Sequence, residues 1–426
     1  MEDMLVNQEE LSVDELIADI NNILQEDPPA DPPEVFPAEP EERPASDAAA
    51  AEGIQDERDE AVSEEEEPAA SDPQKPSLAR RILKVTGKVL LVLLETVLLL
   101  VIALYGVMYV LAKGPSPTAR DLFVRSVQET SAMGFLANLY FSEDQINEII
   151  SSGTGVLDDV ETDTSLIEIP KPTEGSPNDG PTPDAWGLVD EDGDGIIVEQ
   201  INGSGYSGYM MVVLDPSRVI VGSVPEDYGT RGYTVAEMVA KFGAVAGVNA
   251  GGFYDPNGNG NGSIPDAMVV YEGKTYYASS GIRNGFAGLD SNHILHVGKF
   301  SAKDVQNKDI QYGVSFGPVL VVNGEMVEGL GSGVNPRTAI GQRSDGAILL
   351  LVVDGRQVTS LGATYTDLAE IFLSYGAVNA CNLDGGSSTM MWYQGGYIND
   401  CSSVVGIRPV PTTILVMPEG WEAGNE

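Results

Sequence analysis

The chain has 426 residues with 65 Asp and Glu against 23 Lys and Arg, a formal charge of −42. Nucleic-acid binders present a basic face, so that class of partner is excluded. Residues 1–77 hold 25 of the acidic side chains and only 3 of the basic ones, about half of the net charge, and so form a region apart.

Within that region "LSVDELIADINNILQE" places Ser12 and Glu15 in capping-box spacing, with Leu16, Ile20, Ile23 and Leu24 recurring on one helical face. The pattern predicts a helix over 12–26, either a docking segment for a cytoplasmic protein partner or a transient helix without one. From Asp27 to Pro76 the chain is Pro, Ala, Glu, Asp and Ser, too poor in large apolar residues to offset the entropy of ordering. Residues 1–88 are therefore expected to be an acidic, largely disordered tail. Val89 to Ala112 follow, 24 residues with the single charge of Glu95, long enough to span a bilayer's hydrocarbon core. A start this late does not suit a cleaved signal peptide. Lys75, Arg80, Arg81, Lys84 and Lys88 precede the span, and Lys113, Arg120 and Arg125 follow it more sparsely. The positive-inside bias then puts the N-terminus in the cytoplasm and the remainder outside the cell. In that compartment Cys381 and Cys401 become a candidate disulfide.

Residues 113–150 read as a helical stalk, with Leu122, Val127, Phe135, Leu139 and Ile146 spaced for a buried stripe and Ser142 as a cap. Residues 151–185, rich in Gly, Pro, Asp and Thr, read as a linker, and residues 418–426 as a C-terminal tail. Between them, 186–417 alternates short β-branched runs with Gly, Asn, Asp and Pro turns, broken by two helical segments, "TVAEMVAKFG" and "TYTDLAEIFLSYG". The expected class is α+β, a sheet-built domain with a few helices.

Four stretches hold the chemistry. "DEDGDG" sets Asp190, Asp192 and Asp194 in the opening spacing of a calcium loop, but Ile201 stands where a bidentate Glu is needed, so a solvated turn is the competing reading. "GVNAGGFYDPNGNGNG" runs a strand into bare backbone, with Asn249, Gly251 and Gly252 where a ligand could approach main-chain N–H groups. "NPRTAIGQRSDGAILLLVVDGR" places Arg337 and Thr338 at the start of one strand and Asp354 at the end of the next; a guanidinium fork suits phosphate or carboxylate. "AVNACNLDGGSST" ends a strand on Asp384, followed by two glycines and a run of hydroxyls. His293 and His296, the only histidines, lie in the strand-like "HILH" and offer little to a metal centre.

Taken in order, "NAGGF", "SFGPVLVVNGE", "NPRTAIG", "NLDGGSSTMM" and "RPVPTTILV" resemble the phosphodiester glycosidase family over about residues 186–417. The resemblance implies a hydrolase that cuts a sugar's anomeric bond to a phosphodiester; no cofactor is expected beyond a divalent cation such as calcium at Asp190, Asp192 and Asp194. It also implies a polar cluster of Asn249, Arg337, Thr338, Asp354, Asn382, Asp384, Ser387, Ser388 and Arg408. A leaving phosphate needs less protonation than an alkoxide, so one carboxylate and an anion cradle could suffice. On that basis Asp384 is expected to act at the anomeric carbon, with Asp354 as the second candidate. Arg337, Thr338 and the backbone of Gly385, Gly386, Ser387 and Ser388 would hold phosphate, and Arg408 would bind phosphate or pair with Asp384 or Asp354. The substrate is expected among cell-envelope or exopolysaccharide glycans, for a single-pass membrane protein whose catalytic domain is extracellular. The alternative is a non-catalytic surface module that binds anionic glycopolymer.

Overall fold

The computed structural model describes residues 78–130, 133–153, 161–170, 183–256, 260–277, 284–403 and 406–422, all within one compact unit, Ser77–Glu426. The predicted helix over 12–26 and the expected disorder of the tail lie outside the described residues.

The first helix, α1 (Leu78–Lys113), is long and apolar enough over Thr86–Lys113 to cross a membrane. Three short helices follow: α2 (Pro117–Gln128), α3 (Phe135–Asn138) and α4 (Glu143–Ser151). Ser142 caps α4 in a capping box with Gln145, as its spacing predicts. Ala112, Val124, Ala137, Tyr140, Phe141, Ile146 and Ile149 make a small core of their own, and Tyr140 packs against Tyr105 and Tyr109 of α1.

The domain that follows is α+β. Its strands, numbered in chain order, form three antiparallel sheets. The largest runs in the order β1 (Ile196–Gly203), β2 (Tyr206–Val213), β13 (Ile348–Val353), β12 (Arg337–Arg343), β14 (Ala377–Leu383), β10 (Val319–Val322), β11 (Glu325–Met326). The second runs β16 (Gly396–Tyr397), β15 (Met391–Tyr393), β4 (Ala246–Asn249), β17 (Thr412–Val416), β3 (Val219–Ser223). The third runs β6 (Lys274–Tyr276), β5 (Val269–Tyr271), β9 (Ile310–Ser315), β7 (Asn284–Asp290), β8 (Leu295–Phe300).

Strand alternation sorts the apolar residues into layers. Met211, Leu350 and Cys381 of the first sheet, Val248 and Ile414 of the second, and Leu289 and Val314 of the third share one central core. Their neighbours Met210, Leu349 and Ala380 face the other way and are covered by α7 (Tyr365–Ser374) through Leu368 and Phe372. The outer face of the second sheet is covered by α5 (Val235–Phe242), and that of the third by α6 (Ala302–Asn307). Thr234 with Glu237 and Thr364 with Asp367 close the capping boxes of α5 and α7, and Gly243 ends α5 in the left-handed region.

Two expectations change. Within the expected linker, residues 161–170 dock on the domain: Val297 N–H donates to Thr162 Oγ1, Asp163 N–H to Asn323 Oδ1, and Glu168 N–H to Ser344 O. Asp184 and Trp186 clamp the fully buried Arg343, at 2.7 Å and 4.0 Å, which fixes the start of the domain by charge as well as by packing. The stalk also lies on the domain. Arg125 Nη1 donates to Gly331 O (3.0 Å), Val334 N to Ser126 Oγ (2.9 Å), and Gly333 N to Glu129 Oε1 (3.0 Å).

Candidate functional site

The strand ends that the sequence singles out meet at one edge of the domain. β14 leaves the sheet at Asp384, whose N–H donates to Ala250 O just past β4. Asn249 staples the two sheets together. Its Nδ2 donates to Asp384 O (2.5 Å), and its Oδ1 accepts from Thr338 Oγ1 (2.8 Å) and Met390 N (3.1 Å). Asn249 and Thr338 are both fully buried, so they position the Asp384 turn and do not face a ligand.

Asp384 itself is half-buried. Burial pushes its carboxyl up to about 7, against a hydrogen bond from Ser388 and the nearby Arg408 charge, both of which favour the ionised form; Asp255 adds to the rise. A carboxyl that titrates near neutrality can take or give a proton under ordinary conditions. The carboxylate that Arg408 pairs with is neither of the two expected, Asp384 and Asp354, but Asp255. Arg408 forms a two-pronged ion pair with Asp255 (2.7 and 2.8 Å), stacks over Phe253 at 4.9 Å, and also reaches Ser387 Oγ at 3.4 Å. Although partial burial opposes ionisation, hydrogen bonds from Arg408 and Gly260 N–H hold the Asp255 carboxyl below the usual range.

Gly385 to Ser388 form a tight turn whose amides are largely spent within it: Gly386 N–H donates to Pro336 O, Ser388 N–H to Gly385 O and Thr389 N–H to Gly386 O. The backbone N–H groups expected to hold phosphate thus donate mostly within the protein. Arg356 supplies the second cation: its Nη2 lies 3.3 Å from where a Cβ on Gly386 would stand, and Gly386 sits at φ +62°. Arg356 Nη2 also donates to Thr130 Oγ1 of the stalk (2.9 Å) and Asn335 Oδ1 (3.1 Å).

Arg337 sits elsewhere. Thr338 points to the central core, so its neighbour in β12 points to the opposite face, where Arg337 Nη2 meets Glu129 Oε2 at 2.6 Å and Gly333 O at 2.7 Å above the Tyr365 ring. Its charge is matched by the stalk. Asn382 is on that same face, donating to Gly317 O (2.8 Å) and leaving a buried Oδ1 unpartnered among the described residues. Asp354 braces the segment after the turn. Its Oδ1 accepts from Asn399 Nδ2 (3.1 Å) and Asp400 N (3.0 Å), while Asn399 Nδ2 also donates to Thr389 O (3.1 Å). Gly251 and Gly252 bring β4 against Thr412 and Phe316, where an added Cβ would lie 3.1 Å from Thr412 Oγ1 and 2.9 Å from the Phe316 ring.

Cys381 and Cys401 are both free thiols, which corrects the candidate disulfide. Cys381 faces the central core, and burial pushes its thiol up to about 12, whereas Cys401 sits with the α5 cluster beside Ser387 O and Gly406 O. Asp190, Asp192 and Asp194 do converge, with ligand oxygens within 4.8 Å of one another. Asp190 accepts from Gly193 and Gly195 N–H and Asp194 from Ile196 N–H, so the group also closes the turn into β1, while Ile201 lies in that strand opposite Gly208.

Comparison with known proteins adds one decisive observation: residues 242–417 match the phosphodiester glycosidase family model. This match places residues 242–417 in the phosphodiester glycosidase family. The match holds every member of the Asp384 cluster just described and none of the stalk. An uncharacterised prophage-derived protein of Bacillus subtilis, YomE, is 44% identical over 85 residues, 20% of this chain and 13% of its own. Bovine N-acetylglucosamine-1-phosphodiester alpha-N-acetylglucosaminidase is 29% identical over 178 residues, 37% of this chain and 33% of its own. The chain thus spans a third or less of these two relatives. The solved catalytic domain of the zebrafish enzyme of that name is 21% identical, with a TM-score of 0.44 over 52% of this chain and 82% of its own.

Proposed function

We propose that this chain is a hydrolase that cuts a sugar-1-phosphodiester at the anomeric carbon. Its α1 anchor would hold the domain at the outer face of a membrane, among envelope or exopolysaccharide glycans. One observation carries the reading: within the phosphodiester glycosidase domain, a carboxyl that titrates near 7, Asp384, stands at a turn flanked by the guanidinium groups of Arg408 and Arg356.

Ionised Asp384 takes a proton from the water that attacks the anomeric carbon. As the new C–O bond forms, the bond from carbon to the bridging oxygen breaks and its electron pair stays on that oxygen, so phosphate departs as a monoester. Arg408 and Arg356 carry the charge that develops there, which replaces the acid an alkoxide would need. Asp255 keeps Arg408 in place, and Asn249, Thr338 and Asp354 hold the turn.

Incubation of the full chain with sugar-1-phosphodiesters, followed by mass spectrometry, is expected to show a free reducing sugar and a phosphomonoester in equal amounts. Asp384→Asn is expected to lower the rate by about a hundredfold or more. Binding of anionic glycopolymer without turnover would favour the surface module instead.

A further inference from the structure

A bilayer's hydrocarbon core is about 30 Å thick and takes about 20 helical residues. Counted from Val89, the first residue after Lys88, it ends near Met108. Tyr105 and Tyr109 straddle that level, the boundary between acyl chains and headgroups where tyrosine rings concentrate. Tyr140 of the stalk packs on both, with ring centroids 5.6 and 6.4 Å apart, and its hydroxyl donates to Tyr105 O at 3.3 Å. Phe141 lies beneath Lys113 Nζ at 4.2 Å. With α1 in a bilayer, the turns that lead to Tyr140 therefore lie at the bilayer surface.

Those turns present apolar side chains outward. The sequence pattern places Phe135 and Leu139 in a buried stripe, yet they are 62% and 57% exposed, and Met133 is 51% exposed. Three large apolar groups left to water in one short stretch mark an interaction surface. The stretch is joined to the Asp384 turn by two hydrogen bonds: Met133 N–H donates to Thr130 O at 2.9 Å, and Arg356 Nη2 donates to Thr130 Oγ1 at 2.9 Å. The loop that begins at Arg356 is closed by Arg356 N–H to Leu361 O and Gln357 N–H to Ser360 O, and it holds out Val358, fully exposed, and Leu361, 61% exposed. We infer that Met133, Phe135, Leu139, Val358 and Leu361 sit in the lipid headgroup layer, and that the site draws its substrate from that layer: a sugar-1-phosphodiester whose second arm is a lipid alcohol. The inference rests on the proposed anchor and the hydrolase reading. Water attacks the anomeric carbon as before, the sugar leaves into solution, and the phosphomonoester stays on the lipid. The level of Tyr140 selects lipid over a protein partner, because a soluble protein does not reach down to Tyr105. Apolar side chains at that depth are instead stabilised by the acyl boundary, as in interfacial helices.

The test uses the full chain reconstituted in phosphatidylcholine vesicles and two substrates: a sugar-1-phosphate methyl diester in solution, and the same sugar-1-phosphate joined to dioleoylglycerol in the vesicle. Wild type is expected to cleave the lipid diester faster at equal bulk concentration. Phe135→Glu combined with Leu139→Glu is expected to slow the lipid diester about tenfold and leave the methyl diester unchanged. The seating has its own readout, which also decides the matter should the double variant fail to fold: phosphatidylcholine brominated on its acyl chains is expected to quench about half of the emission that Phe135→Trp adds. No quenching, no loss on either substrate, an equal loss on both, or a wild type that prefers the methyl diester overturns the inference and leaves the hydrolase reading intact. A wild type that cleaves neither diester removes the hydrolase reading, and the lipid substrate with it. A chain that carbonate strips from the vesicles has no anchor, which removes that reading and the inference together.

Discussion

Asp384 differs from an ordinary surface carboxylate because its charge is partly withheld from water while Arg408 and Ser388 draw it back. Two consequences can be measured. If its ionised form is the base, the rate should rise with pH through a limb near 7, and Asp384→Asn should lack that limb; a wild-type rate that falls across the same interval would make the group an acid. Stability should move the other way. A carboxyl raised on folding binds its proton more tightly in the native state, so wild-type stability is lost as pH climbs from about 4 to about 7 and stays lost above. Asp384→Asn, neutral throughout, should therefore gain stability relative to wild type as pH climbs through that interval, keep the advantage at pH 8 and lose it near pH 4, as urea titration would show. Arg408 allows a third prediction. Its two-pronged pair with Asp255 needs a planar fork, so Arg408→Lys should lose nearly as much activity as Arg408→Ala, about ten- to a hundredfold by steady-state kinetics.

Elements explain which parts of this site were legible. Capping boxes are local, so Ser142 announced its helix. The expected strands also appeared wherever β-branched runs were dense. β7 and β9 were missed because Gly285, Gly288 and Gly313 break the pattern. An added Cβ at Gly288 or Gly313 would lie 2.5 or 2.3 Å from the Phe286 ring, so those glycines make room for it. Arg337 was assigned to phosphate because "RTAI" does not reveal which face is core: Ala339 and Ile340 are both apolar, and alternation gives no sign. Arg356 and Asp255 stood in quoted motifs but became visible only when β13 and β4 brought them to the turn. The stalk was read as a spacer for want of any local signal that Glu129 meets Arg337. Its docking depends on close approach: a Cβ on Gly333 would lie 2.2 Å from Ser126 Cα. Gly333→Ala should force α2 off the domain at a cost of about 1–3 kcal/mol. Hydrogen exchange over 117–151 should speed up while β12 and β13 stay protected; equal protection in both proteins would contradict the docked arrangement.

At the scale of the whole molecule, a helix fit to cross a membrane leads directly into a docked stalk, and the domain on which the stalk lies carries two arginines and a near-neutral carboxyl at the Asp384 turn. The proposed orientation is testable through the free thiols. Cys401 is half-exposed and Cys381 is buried in the core, so a membrane-impermeant maleimide on intact cells should label the chain once, at Cys401; no labelling until the cells are lysed would reverse the topology. The chemistry itself is best decided by which bond breaks. Hydrolysis of a sugar-1-phosphodiester in ¹⁸O-enriched water should place the heavy oxygen on the sugar's anomeric hydroxyl and none in the phosphomonoester. Heavy oxygen in the phosphate would mean attack at phosphorus, and Asp384 would not be acting at the sugar carbon.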